Sequence, residues 1–282
     1  MMCAWKQLLS VLPPRLRPEV DRLGKNALQE LRLRLGMPPE LVLSGESRWL
    51  GCCVSREDLN YCINAASRYS PWAAATTAQG YLTAPGGHRI GLCGEVACRD
   101  GIVTGIRENS SLCIRVARDF PGIARRAADA PGSILILGAP GWGKTTLLRD
   151  LIRQIGEKQC VSVVDERGEL AAMYRGVPQL EVGAHTDVLD GCPKALGIPI
   201  LLRSANPQVI AVDEITVRED LMAMSAAANC GVRFLATIHA ADRRELGRRP
   251  LFSHLLKEKV FEKLVTIRRE EGQRQYLVEE LW

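Results

Sequence analysis

The stretch from Ser133 to Asp150, SILILGAPGWGKTTLLRD, constrains this chain more than any other. Ile134 to Leu137 form an unbroken apolar run ending in glycine, the pattern of a strand covered on both faces in a parallel sheet. A helix is expected to start at Lys144. Between strand and helix, Gly138, Ala139, Pro140, Gly141, Trp142, Gly143, Lys144 and Thr145 match the phosphate-loop pattern G-x-x-x-x-G-K-[ST]. Gly138, Gly141 and Gly143 admit positive φ, which lets successive N–H groups turn inward onto an anion. Thr145 and Thr146 open a helix whose free N–H groups and positive dipole end face the same charge. In such a loop the lysine, here Lys144, reaches the β- and γ-phosphates, and the hydroxyl of Thr145 ligates Mg²⁺. The stretch therefore implies a nucleoside triphosphate, expected to be ATP, bound with Mg²⁺. Trp142 is expected at the rim of that site rather than stacked on a base.

Downstream, short apolar runs at Val161–Asp165, Val209–Asp213 and Phe234–His239 alternate with helical segments. That succession predicts a mostly parallel sheet with crossover helices, whose functional residues gather at the strands' carboxyl ends. Val209 to Val212 run into Asp213 and Glu214, the Walker B pattern: Asp213 is the metal-holding acid and Glu214 a candidate to polarise water. Val163-Val164 run into Asp165 and Glu166 in the same way. Two acidic pairs converging on one crevice call for a cation, which Mg²⁺ would supply; alternatively Asp165 and Glu166 cap the next helix or pair with Arg167. His239 ends the following strand, as a phosphate sensor or as a hydrogen-bonded structural residue. Arg203, Arg115 and Arg118 are the arginines that could meet the γ-phosphate.

The first half reads as a smaller α+β domain. A short amphipathic helix (Trp5, Leu8, Leu9, Leu12) stops at Pro13-Pro14, and Leu31 to Leu35 alternate as a half-buried strand with Arg32 and Arg34 facing solvent. Ser55-Arg56-Glu57-Asp58 resembles a capping box before a helix through about Tyr69. Arg99-Asp100-Gly101 signals a hairpin, and Ser111 to Arg118 alternate again. This half ends near Asp119, where Pro121-Gly122 opens a basic helix and Pro131-Gly132 closes the junction, dividing the chain into 1–125, a sheet domain of PAS-like kind behind a short helix, and 126–282, a RecA-like phosphate-loop domain.

Composition narrows the partners. A net charge of +5 with only 5% aromatic residues gives little for base stacking, so a nucleic-acid platform is not expected. The 10 cysteines include no C-x-x-C pair, which argues against a structural zinc site. No apolar run approaches the ~20 residues needed to cross a bilayer, so any membrane association is expected to be peripheral or through a partner.

With these motifs in hand, the chain resembles the stage III sporulation protein AA family. The matching segments run nearly end to end: ELRLRLG (30–36), SRYS (67–70), GYLTAPGGHRIG (80–91), SSLCIRVAR (110–118), GWGKTTLLRD (141–150), VDER (164–167), TDVLDGCPK (186–194) and VDEI (212–215). That family is in turn similar to the type II and type IV secretion and pilus-motor ATPases. These carry a Walker A loop (here Lys144 and Thr145), an acidic box (Asp165 and Glu166), Walker B (Asp213 and Glu214) and a histidine box (His239). The resemblance implies that Glu166 is favoured over Glu214 as general base and that Asp165, Asp213 and Thr145 serve the metal. It also implies a hexameric ring, cytoplasmic and peripheral to a membrane, docked on integral-membrane components of the sporulation channel between mother cell and forespore. Its first domain would lend arginines such as Arg115 and Arg118 to a neighbouring subunit. The sequence departs from the pattern in holding a single histidine in the histidine box, in having Thr216-Val217 where Gly-Arg is usual, and in lacking the four-cysteine zinc module of the secretion ATPases. Two alternatives stay open at this stage: a RecA-type ATPase stimulated by nucleic acid, and a nucleotide-gated scaffold with little hydrolysis.

Overall fold

The computed structural model describes residues 1–67, 80–240, 242–248, 250–270 and 273–282. They form two compact units, Met1–Arg118 with Ala172–Gln179, and Asp119–Ala171 with Leu180–Trp282. The division falls after Arg118 rather than at 125, and the segment Ala172–Gln179 returns to the first unit, where the Oε1 of Gln179 accepts the N–H of Gly86 at 2.9 Å.

In the first unit, α1 (Trp5–Val11) is followed by a helix not read from the sequence, α2 (Arg17–Leu23), which places Pro18 in its first turn where no N–H is needed. Strands β1 (Glu30–Arg34), β2 (Glu40–Val42), β3 (Ser47–Trp49), β4 (Tyr81–Thr83), β5 (Arg89–Arg99) and β6 (Ile102–Arg115) form an antiparallel sheet in the order β3-β2-β1-β6-β5-β4. Alternation in β1 does what was expected of it: Leu31 and Leu33 are fully buried beside Leu112 and Ile114 of β6. Arg32 and Arg34 lie on the other face, paired with Glu30 at 2.9 Å and Glu40 at 2.7 Å. Helix α3 (Arg56–Ser67) starts on the expected capping box, with Ser55 N–H donating to Asp58 and Asp58 N–H to the Ser55 hydroxyl. The expected helix end near Tyr69 and the rest of the SRYS segment, residues 68–70, fall outside the described residues.

The second unit begins with a single helical turn, α4 (Arg125–Ala128), and is built on strands β7 (Ile134–Gly138), β8 (Val161–Asp165), β9 (Thr186–Asp190), β10 (Val209–Val212), β11 (Arg233–His239), β12 (Lys263–Glu270) and β13 (Gln273–Glu280). Their order is β13-β12-β7-β11-β10-β8-β9, parallel throughout except for β13, which runs antiparallel to β12. β7 and β10 are apolar at every position because both faces are covered. Helices α6 (Lys194–Ser204), α7 (Arg218–Ala228), α8 (Arg243–Arg248) and α9 (Pro250–Lys257) contribute Ile198, Leu201, Leu221, Met224, Leu246, Phe252 and Leu255 to one core cluster with Leu135, Leu137, Ile210, Val212 and Phe234. Helix α5 (Lys144–Gly156) buries Leu147, Leu148, Leu151 and Ile152. The sheet is thus of the RecA-like, mostly parallel kind. No described helix is long and apolar enough to cross a membrane.

Candidate active site

Sheet register assembles the site. β11 lies beside β7 with His239 opposite Gly138, and beside β10 with Ala236 opposite Val212; β8 lies beside β10 with Val164 opposite Val212. One residue further along, Asp165, Asp213 and Thr237 therefore stand in one row across three parallel strands. His239, two residues on from Thr237, shares its face of the sheet.

The phosphate loop leaves β7 and delivers Gly143 as the N-cap of α5 at φ 94°, while Gly141 takes φ 73°. Gly138 does not adopt positive φ, contrary to expectation: it is still strand, paired with His239. A Cβ there would lie 3.3 Å from Cγ of Lys144 and 3.4 Å from Cβ of Ile267, a tight fit that glycine avoids. Trp142 is partly buried and its N–H donates to the carbonyl of Ala139 at 3.2 Å, closing a turn inside the loop. Pro140 is exposed, and Thr146 accepts from Arg149 at 3.4 Å.

Lys144 is 5% exposed, and its Nζ lies 3.2 Å from the carbonyl of Ala139 and 2.9 Å from Nδ1 of His239. Burial depresses its pKa, opposed by the carboxylates of Asp213 and Glu214. An ammonium only donates, so Nδ1 accepts and Nε2 carries the ring proton. That proton is donated to Oε1 of Glu214 at 2.5 Å, and the other oxygen of Glu214 takes Nη1 of Arg167 at 2.5 Å. Burial pushes the Glu214 carboxyl up, but the His239 bond and the charges of Arg167 and Lys144 outweigh it and hold the group below its ordinary value. Glu214 also sits at φ 50°, a conformation that costs a non-glycine residue about 1 kcal/mol or more and persists where surroundings enforce it.

Asp213 accepts from the hydroxyls of Thr145 at 2.7 Å and Thr237 at 2.5 Å; Thr237 in turn accepts the N–H of Glu214 at 2.9 Å. Thr237 is fully buried and was not singled out in the sequence, although its place two residues before His239 on one strand was a legible signal.

Asp165 departs from its expected role as a metal ligand. Its oxygens accept the backbone N–H groups of Glu169, Leu170 and Ala171 at 2.8 to 2.9 Å, so it anchors the loop after β8, the capping alternative. Burial raises its pKa against those bonds. Glu166 pairs with Lys194 at the start of α6, and Lys194 also lies 3.9 Å from Asp220, which accepts the N–H groups of Thr216 and Val217. Arg149 of α5, 12% exposed at its side chain, lies 4.0 Å from Asp119. Burial lowers its pKa against the pull of Asp119, Asp213, Glu169 and Asp165. The acidic rows therefore do not wait on a metal for charge balance: Lys144, Arg149, Arg167 and Lys194 provide it within the unit.

Arg203 does not join this cluster. Arg203 is exposed on the last turn of α6. That helix runs back toward the amino-terminal edge of the sheet, away from the phosphate loop, over about 16 Å at ~1.5 Å per residue. Arg115 and Arg118 belong to the first unit, where Arg115 lies 3.5 Å from Glu30 and Arg118 donates to the carbonyls of Lys25 and Leu28.

Comparison with known proteins agrees with this fold. A family model described as "Sporulation stage III, protein AA" matches residues 5–277. The chain belongs to the sporulation stage III, protein AA family. Within it, the stage III sporulation protein AA of Bacillus subtilis (strain 168) is 35% identical over 281 residues, covering 94% of this chain and 92% of that protein. Among solved structures, the ATPase DotB of Legionella pneumophila superposes with a TM-score of 0.60 at 18% identity, covering 94% of this chain and 79% of that one. The pilus retraction motor PilT, solved with bound ADP, gives 0.59 at 15% identity over 99% of this chain and 82% of that one. At such identities the structural likeness extends the fold of the secretion ATPases to this sporulation family member and leaves the chemistry to its own residues.

Proposed function

We propose that the protein is an ATP hydrolase of secretion-motor type that works in sporulation. The reading is carried by one observation: Lys144 and Thr145 of the phosphate loop are each in direct contact with a carboxyl-edge residue, His239 and Asp213. The donor set fits Mg²⁺, which takes a hydroxyl and one carboxylate and keeps the rest of its shell as water; Thr145 and Asp213 would hold it. Bound there, the ion would neutralise charge on the β- and γ-phosphate oxygens.

The chain's own residues divide the remaining work. Gly141 and Gly143 turn the loop so that its N–H groups and those of α5 can cradle phosphate. Lys144, released from Ala139 and His239, has the reach to meet the β- and γ-phosphates. Glu214, ionised and fixed by His239 and Arg167, is the carboxylate best connected to that lysine and is assigned to orient the attacking water. Glu166, which the family resemblance favours, is instead held by Lys194 in this structure.

Turnover of the Gln variants separates the two. Glu214→Gln is expected to bind ATP and abolish phosphate release, with Glu166→Gln retaining it; the reverse result makes Glu166 the base. Lys144→Ala is expected to lose turnover altogether, and full activity in that variant refutes the assignment. Phosphate release that requires added nucleic acid and falls steeply with salt would favour the RecA-type alternative.

Family membership and the 35% identity to the Bacillus subtilis protein support placing the enzyme at the sporulation channel. There it would form a hexameric ring on integral-membrane components, peripheral to the cytoplasmic face. Light scattering with and without a nonhydrolysable ATP analogue tests the ring.

A further inference from the structure

Beside the phosphate loop the second unit holds a pocket of about 590 Å³, within the range of small-ligand sites. Helix turn α4 contributes Arg125 and Arg126, α5 contributes Leu147, and the β12–β13 hairpin contributes Arg268, Arg274 and Tyr276. No acidic side chain is among the described residues that line it. Four guanidiniums around a cavity without a carboxylate make a site for an electron-rich or anionic ligand, and guanidinium planes and a phenol ring are also the groups on which a flat heterocycle stacks.

Two contacts join the pocket to the phosphate site. Leu147 lies one turn into α5, just past Thr145 and Thr146. The Arg274 guanidinium lies against Gly143, so closely that a Cβ on that glycine would be 3.2 Å from Cζ and 3.4 Å from Nε. A triphosphate cradled at the N-terminus of α5 with its γ end toward Asp213 and Glu214 would have its nucleoside end at the other side of the loop, where Arg274 lies against Gly143. Arg274 stands at the junction.

Resting on the nucleotide reading above, we propose that this arginine-lined pocket takes the base and ribose of the triphosphate and that Arg274 is its specificity-determining residue. It is supplied by the same chain from the C-terminal hairpin. The fork of Arg274 spans from the loop to the nucleoside, and Arg268 and Tyr276 flank the base. Ring nitrogens, carbonyls and ribose hydroxyls present acceptors that suit a lining of donors.

Calorimetric titration of the full chain with Mg-ATP and with Mg-tripolyphosphate tests this. Tripolyphosphate carries the phosphates without the nucleoside, so the part of its binding that Lys144→Ala removes reports the loop, and that binding also shows that a variant is folded. The wild type is expected to bind ATP at least tenfold more tightly than tripolyphosphate. Arg274→Lys keeps the charge but loses the planar fork; it and Arg268→Ala are expected to weaken ATP at least fivefold while moving tripolyphosphate less than twofold. Equal affinity for the two ligands in the wild type, or an unchanged ratio in both variants, overturns the pocket assignment and leaves the phosphate loop standing. Binding of neither ligand by the wild type overturns the nucleotide reading itself.

Discussion

Replacing Thr237 by valine tests how the carboxyl edge is held together. The side chain is fully buried, and its hydroxyl makes two bonds: it accepts the Glu214 N–H at 2.9 Å and donates to Asp213 at 2.5 Å. Valine matches the shape and makes neither. An orphaned buried N–H costs about 1–3 kcal/mol and a lost hydrogen bond to a charged group about 1.5–3 kcal/mol, partly offset because the hydroxyl no longer has to be desolvated. A net loss of about 3 kcal/mol follows for the second unit. In a unit of this size each kcal/mol moves the melting temperature by roughly 2–4 °C, so calorimetry should find its transition about 6–12 °C lower. Thr237→Ser keeps the hydroxyl and gives up one methyl, at about 1 kcal/mol. The strained φ of Glu214 relaxes in the valine variant, so phosphate release should fall further than ATP affinity. A valine variant within about 0.5 kcal/mol of the wild type, the ordinary scatter of neutral substitutions, or a serine variant no better than the valine one, refutes the assigned role.

Asp58 is held below the usual carboxylate range chiefly by its hydrogen bond to Arg15, against burial that raises it. A depressed acid stabilises the fold above about pH 4 and loses that contribution as pH falls through its lowered value. Asp58→Asn should therefore cost about 2 kcal/mol at pH 7, with the gap from wild type closing toward pH 2 in acid-dependent melts. Lys194→Met strands the buried Asp220 but leaves Glu166, 39% exposed, free to rehydrate. About 2 kcal/mol is expected in urea unfolding, below the ~3–5 of a wholly buried pair. Phe234→Ala empties a fully buried position in the second core and should cost about 3–5 kcal/mol by the same measurement.

Local chemistry fixed much of this molecule in advance. The phosphate loop, the apolar runs of β7, β8, β10 and β11, and the capping box of α3 each depend on neighbours within a few residues, and such signals survive in a linear chain. The alternation of β1 was legible for the same reason. Helix α2 carries start signals in Pro18 and Glu19 that the Pro13-Pro14 break obscures, and the β12–β13 pair lacks a simple alternation from which to infer it. Tertiary structure alone decided which acids serve which end. Asp165-Glu166 and Asp213-Glu214 look alike as sequence, both acidic pairs after apolar strands. Only register across β8, β10 and β11, with the loop after β8 folding back to offer three N–H groups to Asp165, makes one an anchor and leaves Asp213 to Thr145. The same holds for the arginines. Arg203 stood out by its sequence neighbours, but charge acts through space, and it is Arg274, about 130 residues from the loop in sequence, that lies against Gly143 because β12 pairs beside β7.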